Sequence, residues 1–235
     1  MIGRLQLSKR FFIIFFAAVA ALGGFLFGFD TAVISGTIGF VQQQFGLNAI
    51  QEGWFVSSAL VGCLTGAMVA GNFSDIYGRR TMLLVAAALF MLSALGCMLS
   101  PDFNMLVIYR IVGGLGVGMA SMLSPLYISE YSPSHLRGRM VALYQLAITI
   151  GILLAYFSNA GLLKLSVTAT FANEEGMLNL VVGEEVWRGM FGAEMIPAGL
   201  FLLTLFMIPE SPRWLVKQGK NPMALAALVK ITDEP

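Results

Sequence analysis

Asp30, Arg110 and Glu194 are ionisable side chains set in stretches that otherwise offer little but hydrocarbon. Asp30 lies within Phe11 to Ile34, a run almost wholly apolar or glycine; Arg110 follows Leu106, Val107 and Ile108, and Glu194 comes shortly after Met190 and Phe191. A charge in such surroundings needs a partner, a water-filled cavity or a proton, so each marks a functional site by default. Two acids and one base can trade a proton. With a guanidinium close by, a carboxylate stays ionised; when the guanidinium withdraws, apolar surroundings favour the protonated acid, and conformation becomes linked to proton occupancy. The structural alternative is a permanent ion pair that only fixes packing.

The elements that must hold these groups follow from composition. The 235 residues are 57% hydrophobic and 11% charged, with 26 glycines and a mean hydropathy of +0.81, whereas soluble domains carry about 25% charged residues. An all-α membrane protein is expected, with spans near 11–36, 54–73, 82–100, 105–127, 140–163 and 190–208. Each approaches or exceeds the roughly 20 residues that cross about 30 Å of hydrocarbon as helix. Residues 1–10 form a tail before this bundle, 164–186 its one long outer loop, and 209–235 a tail after it.

Basic residues set the orientation. Of the 14 lysines and arginines, eleven fall in the two tails and in the turns after the second and fourth spans, and only Lys164 and Arg188 lie on the other side. Both termini are therefore expected in the cytoplasm. In that frame Asp30 sits in the outer third of the first span, Arg110 about five residues into the fourth and Glu194 about one turn into the sixth, at similar depth. The loop acids Glu174, Glu175, Glu184 and Glu185 suit a solvated outer cap.

A second set of charges gathers at the cytoplasmic ends. Asp75, Arg79 and Arg80 fall at the level of Glu130, Arg137, Arg139, Glu210 and Arg213, and pairs among them would latch an inner gate. Simple topogenesis by positive charge explains the arginines but not the acids. Helix 4 carries Gly113, Gly114, Gly116 and Gly118; these lie in an apolar helix with no preceding strand, so they read as helix-packing surfaces and not as a nucleotide loop. Cys63 and Cys97 read as small hydrophobes, and no metal site is expected. No Walker motif is present, and the single histidine, His135, reads as a loop residue, so neither an ATP-driven pump nor an enzyme is indicated. For a ligand, Phe27, Gln145 and Tyr144 are the polar or aromatic residues that a central cavity would use, Gln145 first among them. A glutamine bonded to a neighbouring helix is the alternative.

Several motifs in fixed order carry a resemblance. Gly24-Phe25-Leu26-Phe27-Gly28-Phe29-Asp30-Thr31, then Gly71, Asp75, Gly78, Arg79 and Arg80, then Tyr109-Arg110 with the following glycines form the first three. Ser129-Glu130-Tyr131-Ser132-Pro133, Arg137-Gly138-Arg139, Trp187-Arg188 and Pro209-Glu210-Ser211-Pro212-Arg213-Trp214 complete them. This set resembles the sugar porters of the major facilitator superfamily, and is closest to the bacterial xylose and proton symporters. The resemblance implies six transmembrane helices forming the N-terminal half of a major facilitator fold, a bacterial inner-membrane location, sugar contacts at Gln145 and Phe27, and proton symport. Family uniporters tend to carry asparagine where this chain has Asp30. A monosaccharide and membrane lipid are the expected partners, without nucleic acid, and the proton is the coupling ion with no cofactor. Family members have twelve helices, so a second six-helix half, or a second copy of this chain, is expected to complete the pocket. A proton-independent facilitator, or a membrane module that binds a sugar or partner without transport, remains the alternative.

Overall fold

The computed structural model describes residues 2–168 and 179–229. The outer-loop acids Glu174 and Glu175 and the tail beyond Val229 lie outside them. Five helices are long and apolar enough to cross a membrane: α1 (Ile2–Phe45), α2 (Ala49–Tyr77), α3 (Arg79–Leu99), α4 (Phe103–Tyr131) and α5 (Arg137–Thr168). A π-helical turn, Asn179–Glu184, precedes α6 (Val186–Ala193) and α7 (Met195–Leu205), which together make the sixth span; two short helices, α8 (Pro212–Lys217) and α9 (Asn221–Leu228), follow. No strand occurs among the described residues.

Local chemistry starts and stops these helices. Asn48 caps α2 by accepting from the backbone N–H of Ile50 and Gln51 at 3.0 and 2.9 Å, while the Gln51 side chain accepts from the Asn48 N–H at 3.0 Å. The reciprocal pair settles two of the N–H groups that a helix start leaves unpaired. Asp102 caps α4 with a single bond, accepting from the Met105 N–H at 2.9 Å. Gly78 turns the chain from α2 into α3 at φ +101°, a backbone conformation open to glycine and strained for other residues.

The sixth span breaks where the sequence has Pro197. That residue has no N–H to return to the Ala193 carbonyl, and just before it the ladder tightens, Glu194 donating to Phe191 O three residues back at 3.1 Å. Glu194 therefore occupies the joint between α6 and α7.

Two central helices organise the bundle: α4 is flanked by α2 and α3, α1 by α5 and α7, and α1 and α4 touch each other. Glycines permit the closest crossings. Any Cβ on Gly62 or Gly66 of α2 would strike the α4 backbone at Ile111 and Leu115, and any on Gly114 or Gly118 would strike the α2 backbone at Ala59 and Cys63. Across α1 and α5, Gly28 meets Ile148 and Gly151 meets Phe25 in the same way. Between helices in lipid, where no hydrophobic effect drives association, such backbone approach supplies the van der Waals contact.

Candidate functional site

Helix α1 delivers Asp30 and α4 delivers Arg110 to one buried point. Arg110 Nη1 donates to Asp30 Oδ1, and the two residues are only 4% and 9% exposed. The guanidinium carbon lies 5.6 Å from the centre of the Phe191 ring, so the cation also rests on an aromatic face. Glu194 is 2% exposed, interacts electrostatically with both Asp30 and Arg110, and leaves Oε1 without a hydrogen-bond partner. Arg110 Nε is likewise unpartnered. The constellation thus holds one formed ion pair and one spare buried carboxylate.

Supporting contacts fix each member. On the sixth span Arg188, Phe191 and Glu194 follow at intervals of three and share one helical face. Arg188 donates Nη1 to the carbonyls of Met98 and Ser100 at 3.0 and 2.7 Å, stacks 4.4 Å from the Trp187 ring centre, and pairs with Glu185. It fastens the start of α6 to the end of α3. On α4, the Tyr109 carbonyl accepts from Ser93 Oγ at 2.7 Å, which sets the azimuth of the neighbouring Arg110.

Beside the ion pair lies a cleft of about 180 Å³ between α1, α2 and α4, lined by Phe27, Asp30, Thr31, Cys63, Arg110 and Gly114, among others. Phe27, the proposed aromatic contact, shares this cleft with the ion pair. Gln145 does not line it; it lies exposed on α5. Tyr144 is buried, its ring against Gly24 of α1 and its hydroxyl without a partner. Sequence reading passed over three residues here. Thr31 is one turn from Phe27, Cys63 looked like any apolar-run thiol, and Phe191 stands three residues before Glu194; helical spacing from Phe27 and from Glu194 was the available signal for Thr31 and Phe191.

At the basic end a second cluster surrounds the α2–α3 turn. Arg79 Nη1 pairs with Asp75 at 2.8 Å and donates to Ser74 O at 3.0 Å, and Arg79 Nε stands 3.3 Å from Glu130 Oε2, within ion-pair reach but off line for a hydrogen bond. Glu130 also accepts from the Ser211 hydroxyl. Glu210 Oε1 accepts from the backbone N–H of Arg80 at 3.0 Å and of Ser211 at 2.8 Å, and Arg80 Nε donates to Leu205 O at 2.9 Å. The Glu210 carboxylate fills the space where a side chain on Gly78 would sit. Helix α8 docks there too, Trp214 Nε1 donating to Asp75 O and Lys217 Nζ pairing with Asp75 Oδ2, both at 3.0 Å. Arg137, Arg139 and Arg213 join no acid among the described residues; Arg139 and Arg213 are exposed, and Arg137 keeps a buried Nε without a partner.

The sugar (and other) transporter family matches residues 16–235. The chain belongs to that family. It is 43% identical over 223 residues to the arabinose-proton symporter of Bacillus subtilis (strain 168), an alignment covering 95% of this chain and 46% of that protein. It is 42% identical over 240 aligned residues to the D-xylose-proton symporter of Escherichia coli (strain K12), covering 91% of this chain and 46% of that one. The structure superposes on the major facilitator superfamily proton:xylose symporter XylE bound to 6-bromo-6-deoxy-D-glucose with a TM-score of 0.84 at 39% identity, over 95% of this chain and 50% of that chain. The chain spans about half the length of the curated relatives it matches. Its fold is that of the N-terminal half of the major facilitator architecture, and this is a family of transporters, not of enzymes.

Proposed function

We propose that this chain supplies the N-terminal half of a sugar:proton symporter that works by alternating access, carrying the proton-coupling acid and part of the sugar site. The observation that carries the reading is the buried Asp30–Arg110 pair opening on a cleft walled by Phe27. Proton symporters for arabinose and xylose among the relatives support it. Asp30 takes up the proton, Arg110 releases its carboxylate, and the unpartnered Oε1 of Glu194 offers the freed guanidinium a second acceptor. An arginine that changes partners gives each state its own contacts, which any ligand-driven switch requires. The sugar, a monosaccharide, packs an apolar face on Phe27, and Gln145 on the open side of α5 donates to and accepts from its hydroxyls. A second six-helix bundle completes the pocket, since rocking about a central site needs two halves.

In this reading the chain sits in the bacterial inner membrane with its basic end and both termini on the cytoplasmic side, and the cluster of Asp75, Arg79, Arg80, Glu130 and Glu210 latches the inner gate. Arg137, Arg139 and Arg213, which find no acid among the described residues, are left for the second half or for the membrane. Uptake of labelled xylose, arabinose and glucose into proteoliposomes, with and without an inward proton gradient, tests the function while the oligomeric state is recorded. Accumulation above equilibrium that needs the gradient and Asp30 supports symport. Equilibration indifferent to the gradient would mean a facilitator, and sugar binding without uptake a non-transporting module.

A further inference from the structure

The groove between α1 and α5 has a cationic mouth and an apolar floor. At the basic end a cavity of about 400 Å³ is lined by Ile13, Ile14, His135, Leu136, Arg139 and Met140. Further along the same two helices, a second hollow of about 190 Å³ runs between Ala18, Leu22 and Phe25 of α1 and Leu143, Leu146 and Ile150 of α5. Ile14 and Leu146 are 52% and 54% exposed. From Ile14 to Phe25 the groove is about 16 Å long at 1.5 Å per residue, about half of a 30 Å hydrocarbon core and so the depth of one leaflet.

Its direction separates it from the Asp30 cleft. Gly24 and Gly28 are the α1 positions pressed against α5. At 100° per residue, Phe27 and Thr31 fall to one side of that contact line, whereas Ala18, Leu22 and Phe25 fall to the other. The groove therefore opens on the opposite flank of α5 from the cleft.

We propose that this groove holds a phospholipid with an anionic headgroup from the leaflet at the basic end, its phosphate on His135 and Arg139 and one acyl chain along the α1–α5 floor. Charge complementarity decides the occupant. Arg139 lines the mouth, is exposed and pairs with no acid among the described residues. No acid occurs in α1 before Asp30 or anywhere in α5. Glu130, the nearest acid in sequence on the α4 side, is occupied by Arg79 and Ser211. The first turn of α5 adds the positive end of the helix dipole beside Arg139. Cations over an apolar slot match a phosphodiester over its acyl chain.

The test is native mass spectrometry of the purified chain released from vesicles of equal phosphatidylglycerol and phosphatidylcholine. The wild-type chain is expected to retain phosphatidylglycerol in preference, and Arg139→Gln to lower that retention about fivefold, the worth of one surface cation near anionic lipid. His135→Gln added to it lowers retention further, while Lys164→Gln at the opposite end changes nothing. Leu143→Trp, which fills the floor and keeps the cations, should also expel the lipid, with helicity by circular dichroism reporting that the bundle is intact. Equal retention of the two lipids, equal loss from Lys164→Gln, or a groove protected only in a dimer of the chain would overturn the proposal.

Discussion

Arg110 Nη1 donates to Asp30 Oδ1 across the α1–α4 crossing, in a pocket that buries both residues almost completely. The pair joins the two central helices of the bundle at one point. Glu194 stands in the same electrostatic cluster with an unused carboxylate oxygen, so the site contains more acceptor capacity than its one guanidinium uses in this conformation.

Asp30→Asn is expected to abolish gradient-driven sugar accumulation and to leave exchange intact, because an amide keeps the shape and the acceptor oxygen but carries no proton. Uptake and exchange measured side by side in proteoliposomes check this; loss of both to the same degree would count against a coupling role for Asp30.

Arg110→Lys is expected to impair coupling although the charge is kept. A point ammonium on a different stem does not reproduce the planar guanidinium, which bonds Asp30 while its carbon stands 5.6 Å from the Phe191 ring centre. The readout is the ratio of accumulated to exchanged sugar, which should fall well below that of the wild type.

Removing one partner of the buried pair should be worse than removing both. Arg110→Met or Asp30→Leu alone strands a buried charge and is expected to cost about 3–5 kcal/mol, whereas the double variant recovers most of that. Unfolding of the detergent-solubilised chain, followed as a double-mutant cycle, measures the difference; additive losses would mean that the pair is not coupled.

Gly118→Val is expected to destabilise the bundle by at least about 1–3 kcal/mol, the usual cost of overpacking, since the new side chain meets the α2 backbone at Cys63. Gly161→Val is the control, because a side chain there meets open space. Both are read by the same unfolding measurement, and equal effects would refute the packing role.

A membrane-permeant maleimide should modify Cys63 and spare Cys97. Cys63 is half-buried and lines the Asp30 cleft, whereas Cys97, on α3, is 1% exposed in the core that α3 shares with α6. Peptide mass mapping locates the adduct, and sugar that slows labelling of Cys63 would mark the cleft as the occupied site.

Much of the fold was legible in the sequence, for a physical reason: hydrocarbon demands that every backbone polar group be paired within its own segment, so long apolar runs read as spans. The glycines of α4 likewise announced close crossings, and the family motifs fell in order along the chain. Helix ends were less legible. Apolar content defines the part inside lipid, while caps such as Asn48 and Asp102 decide where the helix begins, and α2 accordingly extends beyond 54–73 at both ends.

The candidate site divides in the same way. Sequence alone determined that Asp30, Arg110 and Glu194 are charges without water, and counting residues from the membrane surface put them at one depth. Only tertiary structure decided azimuth: which side of α4 faces α1, that Phe191 lies under the guanidinium, that Thr31 and Cys63 share the cleft, and that Gln145 faces outward while Tyr144 faces Gly24. Depth is a property of one chain segment and its solvent, and a linear sequence carries it. Azimuth belongs to pairs of helices, and it is set by where glycines let two backbones meet.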